Sequence, residues 1–166
     1  MSLQMTDPLR STANRRGFLM RTAGFAAAAG IASALPLRAS RATPQAMQEA
    51  IRKILGEAVL QHGRVSLDVP PLVENGNTVP LTVSVDSPMT TADHVKAIHI
   101  VNEKNPQPHV ISVTLGPRAG RASVSTRIKL ATSQQVLALA EMSDGSFWSE
   151  SADIVVTIAA CVENIP

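Results

Sequence analysis

The only cysteine of this 166-residue chain, Cys161, is its most reactive side chain and follows the last predicted strand. A single cysteine excludes an intramolecular disulfide. A thiolate is a good nucleophile toward activated sulfur and forms persulfide or mixed-disulfide adducts. We therefore expect residues 159–166 to form a flexible C-terminal arm that carries a reactive thiol to other proteins. The alternative, that Cys161 is a small apolar residue finishing the last strand, stays open.

Other catalytic or metal-binding patterns have little support. The chain has four histidines, His62, His94, His99 and His109. Their spacing is not that of a zinc or haem site, and no G-x-S-x-G, P-loop or dinucleotide-binding pattern occurs. We expect His94 to begin a strand and His99 to share a strand face with Val95 and Ala97, hydrogen-bonded to its neighbours. The sequence thus predicts no metal, no cofactor and no enzymatic activity of its own.

The first 42 residues have the order of a secretory signal. Arg15 and Arg16 form a twin-arginine (Tat) pattern, and an uncharged, Ala-rich run at 22–37 is followed by small-x-small sites. The run is short for a membrane span and is interrupted by glycine and proline, although a short membrane anchor is the alternative. We expect cleavage after Ala42 and export to the periplasm by the twin-arginine route.

The charge of the remaining chain differs from that of the whole sequence. The full chain has a formal charge of +2, but six of its fifteen basic residues precede residue 43. Residues 43–166 hold nine basic and twelve acidic residues, which is a charge of −3. This part contains no basic patch, so we expect neither nucleic acid nor a membrane as a partner.

A short helix is predicted directly after the signal peptide. Thr43 is a suitable N-cap and Pro44 suits the first helical position. Helical spacing places four apolar residues on one face: Met47, Ile51, Ile54 and Leu55. Gly56 or Gly63 ends this element.

Beyond the helix the apolar period changes to two, which indicates strands. Seven strands are predicted, at 65–69, 81–85, 94–101, 110–115, 122–130, 135–142 and 151–158. Short strands at near-regular spacing, separated by turn residues, favour an all-β fold, an immunoglobulin-like antiparallel β-sandwich over 43–158. Phe147 and Trp148 are expected in its core or at an interface.

Seven segments of this region carry a resemblance to a known family. They are ENGNTVP (74–80), SPM (87–89), DHVKAIH (93–99), EKNPQP (103–108), RAGRA (118–122), STRI (125–128) and AEMSDGSFW (140–148). In this order they resemble SoxY, the sulfur-carrier subunit of bacterial thiosulfate oxidation. The resemblance implies a sandwich that forms a heterodimer with SoxZ and holds sulfur intermediates covalently on a cysteine near the C-terminus, here Cys161.

The resemblance also implies transient contacts with three enzymes. A Sox cytochrome enzyme loads thiosulfate, a hydrolase releases sulfate, and a sulfane dehydrogenase oxidises the remaining sulfur. The carrier itself is then their protein-bound substrate.

The C-terminal sequence leaves two further hypotheses open. SoxY chains typically end Gly-Gly-Cys-Gly-Gly, whereas Cys161 lies between Ala159-Ala160 and Val162-Glu163. This chain could therefore be a diverged paralogue that binds a partner but carries little sulfur. It could also form a disulfide-linked dimer through Cys161.

Overall fold

The computed structural model describes residues 44–160. The predicted signal peptide with Arg15 and Arg16, the cleavage after Ala42, the cap residue Thr43, and Cys161 with the rest of the arm lie outside the described residues. Within the described part, no helix has both the length and the apolar character needed to cross a membrane.

Helix α1 spans Pro44–Leu55, as predicted. Met47 and Ile51 are its buried residues, and the backbone N–H of Gly56 donates to the Arg52 carbonyl to close its last turn. Gly56 has φ +60°, a left-handed conformation that glycine adopts without a Cβ penalty. This residue, and not Gly63, ends the helix.

Nine strands follow α1. They are β1 (Leu60–His62), β2 (Val65–Asp68), β3 (Leu72–Asn75), β4 (Val79–Val85), β5 (Val95–Asn102), β6 (His109–Thr114), β7 (Ser123–Ile128), β8 (Gln134–Met142) and β9 (Phe147–Ile158). A 3₁₀ turn, Pro117–Ala119, separates β6 from β7. The seven predicted strands are all present, and β1 and β3 are additional.

The strands form two sheets. The larger has the order β1-β9-β8-β5-β6. Strand β3 also pairs with β9, at residues 155–158, whereas β1 pairs with β9 at residues 147–149. The smaller has the order β2-β4-β7. The prediction of an all-β, immunoglobulin-like sandwich is confirmed, with one difference: β1 and β3 run parallel to β9, while the other pairs are antiparallel.

The core lies between the two sheets. The inward face of β4 is fully apolar and buried: Val79, Leu81, Val83 and Val85. It packs against inward residues of β5 and β8, such as Ile98, Ile100 and Ala138. A smaller cluster on the outer face of the large sheet joins α1 to Val101, Leu137 and Leu139. The helix therefore covers part of one outer face of the large sheet.

Candidate functional site

The predicted site residue Cys161 lies outside the described residues, and the described chain ends one residue before it, at Ala160. Four segments meet around Ala160: 74–78, 103–108, 129–134 and 156–160. We call this end of the sandwich the exit end. Its contacts determine how firmly the residue that precedes the thiol is held.

Ala160 is fixed to the domain although it belongs to the predicted arm. Its exposed fraction is 6%, and its backbone N–H donates to the Leu130 carbonyl at 3.1 Å. The Leu130 N–H in turn donates to the Gly76 carbonyl, and the Gly76 N–H donates to the Ile158 carbonyl, each at 2.8 Å. These bonds form a closed backbone relay that holds the chain up to the residue before Cys161.

Gly76 permits this relay by its lack of a side chain. A Cβ at this position would lie 2.4 Å from the Leu130 carbonyl oxygen and 2.9 Å from the Ala160 nitrogen. Both distances are too short for non-bonded atoms, and both atoms belong to the backbone, so neither can rotate away. The glycine of the segment 74–80 is thus required for close backbone approach.

Side-chain hydroxyls hold the preceding part of β9. The Ser133 hydroxyl accepts a hydrogen bond from the Val156 N–H at 2.9 Å. The Thr157 hydroxyl donates toward the carbonyls of Val73 and Glu74, at 3.4 and 3.2 Å. Each hydroxyl links β9 to a neighbouring segment, so the strand stays attached over its last residues.

Asn105 joins the loop 103–108 to the loop 129–134. Its Oδ1 accepts from the Ala131 N–H at 2.9 Å and from Nε2 of Gln134 at 2.8 Å, while its Nδ2 donates to the Lys129 carbonyl at 2.7 Å. These bonds bracket Leu130, whose carbonyl accepts the hydrogen bond from Ala160. Asn105 therefore positions the acceptor that anchors the root of the arm.

Lys104 adds a positive charge at the same end. Its backbone N–H donates to Oε1 of Gln134 at 2.7 Å, and its Nζ donates to the Ser133 carbonyl at 3.0 Å. The ammonium group is thus held beside the loop that anchors Ala160. A cation so placed favours anionic groups nearby.

Asn102 ends β5 directly before the loop 103–108 and is fully buried. Neither its side-chain nitrogen nor its oxygen has a hydrogen-bond partner among the described residues. A buried amide in this state normally binds an ordered water molecule. Asn102 is thus a polar group within an otherwise apolar part of the core.

The four histidines do not converge on the exit end. His62 bonds the Ser149 carbonyl on β9, and the backbone of His94 bonds Ser143. His99 bonds Ser112, which confirms the expectation of a hydrogen-bonded strand histidine. The expected face of His99 was wrong in part: a register shift between Val95 and Ala97 turns Val95 into the core and leaves His99 on the outer face.

The two aromatic residues expected in the core or at an interface are both at least partly buried. Phe147 is buried, and Trp148 is half-buried beneath the Arg64 guanidinium, which lies 5.4 Å from a ring centroid. Within residues 44–160, no group of three or more His, Cys, Asp or Glu is arranged to hold a metal ion. The candidate site is therefore the exit end, because its last described residue, Ala160, is bonded directly to Cys161.

Comparison with known proteins gives a family match. The model of the family "Sulfur oxidation protein SoxY" matches residues 51–161, so the match extends to Cys161. A search of curated proteins gave no match.

Solved structures give the same fold. The sulfur carrier protein SoxY from Chlorobium limicola f thiosulfatophilum is 25% identical, with a TM-score of 0.58, over 69% of this chain and 98% of that chain. A superoxide reductase (neelaredoxin) from Ignicoccus hospitalis is 19% identical, with a TM-score of 0.51, over 57% of this chain and 80% of that chain. The second likeness concerns the fold alone.

Proposed function

The chain belongs to the SoxY family of sulfur oxidation proteins, and from this premise we propose that it carries sulfur intermediates covalently on the thiol of Cys161. The family membership and the Chlorobium structure support a sulfur-carrier role in sulfur oxidation. The attachment residue, the compartment and the partners are our extension of that role. The observation that carries the extension is the family match that reaches Cys161, one residue beyond the anchored Ala160.

The chemistry requires a thiolate and an external oxidant. The Cys161 thiolate bonds the outer sulfur of thiosulfate, and two electrons leave to the cytochrome partner, which gives a cysteine S-thiosulfonate. Water then cleaves the sulfur–sulfonate bond, so that sulfate leaves with two protons and a persulfide stays on Cys161. A dehydrogenase partner oxidises that remaining sulfur. This chain supplies the attachment point and its presentation, and the enzymes supply the catalysis.

The firm attachment of Ala160 suits this role. Hydrogen bonds hold the chain up to Ala160, the residue to which Cys161 is joined by a peptide bond. A defined starting point lowers the entropy that the arm loses when it enters an enzyme channel. The domain is accordingly held firmly up to the residue that precedes the proposed carrier cysteine.

Export to the periplasm by the twin-arginine route and a heterodimer with SoxZ complete the proposal. Arg15 and Arg16 support the route, and a Tat substrate is exported already folded, alone or with a partner. Two large exposed apolar side chains, Leu72 and Val155, are register partners on β3 and β9. Exposed apolar groups of this kind favour a protein partner, and we assign SoxZ to this patch.

The SoxZ contact is testable on purified proteins. We expect Val155→Asp to weaken co-elution with SoxZ, because a charge would be buried against an apolar partner surface. Val59→Asp is the matched control, since Val59 is 77% exposed but precedes β1. Equal binding by both variants would remove SoxZ from this patch.

The carrier role is tested by the intact mass of the exported protein, purified without reductant from thiosulfate-fed cells. We expect added mass corresponding to sulfane sulfur or thiosulfonate, removed by dithiothreitol and absent in Cys161→Ser. The same mass gives the N-terminus, and a chain beginning at Thr43 supports the cleavage site. An unmodified thiol while the Sox enzymes turn over contradicts the carrier role.

A diverged, partner-binding paralogue is the second candidate, and Val162 and Glu163 favour it. A carboxylate two residues along the chain from the thiol repels anionic thiosulfate. Val162→Gly with Glu163→Gly tests this candidate: faster loading in the double variant means that the native tail limits carrier activity. A disulfide-linked dimer would instead double the mass on a non-reducing gel, and Cys161→Ser would abolish that species.

A further inference from the structure

Two imidazole rings and one hydroxyl form a cluster on the outer face of β5 and β6. Nδ1 of His99 lies 2.5 Å from the Ser112 hydroxyl oxygen, and Nε2 of His109 lies 2.7 Å from the same oxygen. The ring centroids are 6.4 Å apart and the rings are tilted by 51°. Two ring nitrogens therefore point at one position in space.

The strand register produces this convergence. His99 pairs with Ser112, and Val101 pairs with His109, with a register shift between Ile100 and Val101. The shift places one more residue on β6 than on β5 between the two pairs, and both histidines reach the outer face. His109 and Ser112 are exposed and His99 is half-buried, so an ion in solvent has access to the position.

The surroundings favour neutral imidazole at His99. Partial burial and the neighbouring His109 both lower the pKa of His99 below its usual 6.5, and Glu141 opposes them. Glu141 forms an ion pair with Lys96 on the neighbouring strand.

We propose that His99 and His109 form a two-imidazole binding site for a divalent transition-metal ion such as Cu²⁺ or Zn²⁺, at the position now filled by the Ser112 hydroxyl. Neutral imidazole is the commonest protein ligand for these ions. Metal–nitrogen bonds are about 2.0–2.1 Å long, so small ring rotations from the present 2.5 and 2.7 Å suffice once the hydroxyl turns away.

Water must fill the other coordination positions. No third His, Cys, Asp or Glu in residues 44–160 completes the set. A site with two protein ligands holds its ion exchangeably, and the order of divalent ions predicts tighter binding of Cu²⁺ than of Zn²⁺. This site is independent of the sulfur chemistry proposed for Cys161.

Titration of the mature chain, without an affinity tag and with Cys161→Ser, tests the site, because a thiolate would compete for the same ions. We expect one Cu²⁺ or Zn²⁺ bound per chain. His99→Gln and His109→Gln should each weaken binding by about tenfold or more, since a chelate becomes a single ligand. Ser112→Ala should retain or strengthen binding, because it removes a competing hydrogen bond.

His62→Gln is the matched control, as His62 is an exposed strand histidine at another position. It should leave the affinity unchanged. Electron paramagnetic resonance of the Cu²⁺ complex should report two imidazole nitrogens, and one nitrogen in either His99→Gln or His109→Gln. Unchanged affinity in both variants, an equal loss in His62→Gln, or one ion per two chains would each overturn the site.

Discussion

The exit end and the outer faces of the sheets use similar polar groups in different surroundings. At the exit end, Oδ1 of Asn105 and the relay through Gly76 bond backbone groups of buried or half-buried residues, which are Ala131, Leu130, Gly76 and Ala160. On the outer face of the small sheet, exposed hydroxyls bond each other across strands, as Ser84 and Ser123 do at 3.1 Å and Thr82 and Ser125 do at 2.9 Å. The bonds are comparable in length, but water can replace only the second kind.

This difference concerns what happens when a partner is lost. A buried donor or acceptor left unpaired loses roughly 1–3 kcal/mol of stability, whereas an exposed one bonds water. The exit end therefore fixes the position of the residue before Cys161, and the outer-face pairs add little to stability. Substitutions in the two regions should separate widely in their effect.

Gly76→Ala should have the largest effect. The new Cβ would meet the Leu130 carbonyl oxygen at 2.4 Å and the Ala160 nitrogen at 2.9 Å, so the relay must open. We expect a loss of about 3 kcal/mol in the free energy of unfolding, or about 10 °C in the thermal midpoint. Chemical and thermal denaturation measure the loss, and hydrogen exchange should show the Ala160 amide becoming less protected.

Gly116→Ala is the matched control for this substitution. Gly116 has φ −149°, which any residue adopts, and a Cβ there would meet no atom within 4 Å. We expect its stability to stay within about 0.5 kcal/mol of the wild type. A Gly76→Ala protein as stable as Gly116→Ala would mean that the backbone of the exit end can move to make room for the new Cβ without loss of stability.

Asn105→Ala should have the next largest effect. It removes three hydrogen bonds and leaves the Ala131 N–H and the Lys129 carbonyl without their partner. We expect a loss of about 2 kcal/mol, with faster hydrogen exchange at Ala131 and Ala160. Asn77→Ala serves as control, since Asn77 bonds through its backbone N–H to Asn75. Similar exchange at Ala160 in both variants would contradict the positioning role of Asn105.

The strands differ in how clearly their own sequence predicts them. Alternation over seven residues made β4 visible, because its inward and outward faces differ throughout. β1 and β3 have only three and four residues and exist through parallel pairing with distant β9, so their own sequence carries no period. Short edge strands depend on the neighbour more than on local pattern.

The candidate site was predictable in one respect. Cys161 could be singled out by residue type, and the family segments included Gly76 and Asn105 without giving their roles. Those roles depend on contacts between Gly76, Leu130 and Ala160, which lie far apart in sequence. The face of Val95 was wrong because a strand bulge changes the alternation, and no local residue pattern marked it.

Ser84→Ala should show the small effect expected of an outer-face pair. The hydroxyl of Ser84 bonds that of Ser123 in an exposed position, so the remaining hydroxyl can bond water. We expect a change within about 0.5 kcal/mol in the free energy of unfolding, measured by urea denaturation. A loss as large as that of Asn105→Ala would mean that water does not replace the hydrogen bond between these exposed hydroxyls.

The smallest effect is a pH dependence at His99. Burial and His109 lower its pKa below 6.5 in the folded protein, so the unfolded chain binds a proton more readily there. Stability from this group is complete above the unfolded pKa of 6.5 and is lost as the pH falls below that value toward the folded pKa. The wild type should therefore lose more stability than His99→Gln between about pH 7.5 and pH 5. The carboxylates are common to both proteins, so their contribution cancels when the two curves are subtracted. Parallel curves for the two proteins would mean that His99 has the same pKa in the folded protein as in the unfolded chain. A steeper wild-type curve would show that the half-buried His99 is partly shielded from water by the strands that hold it.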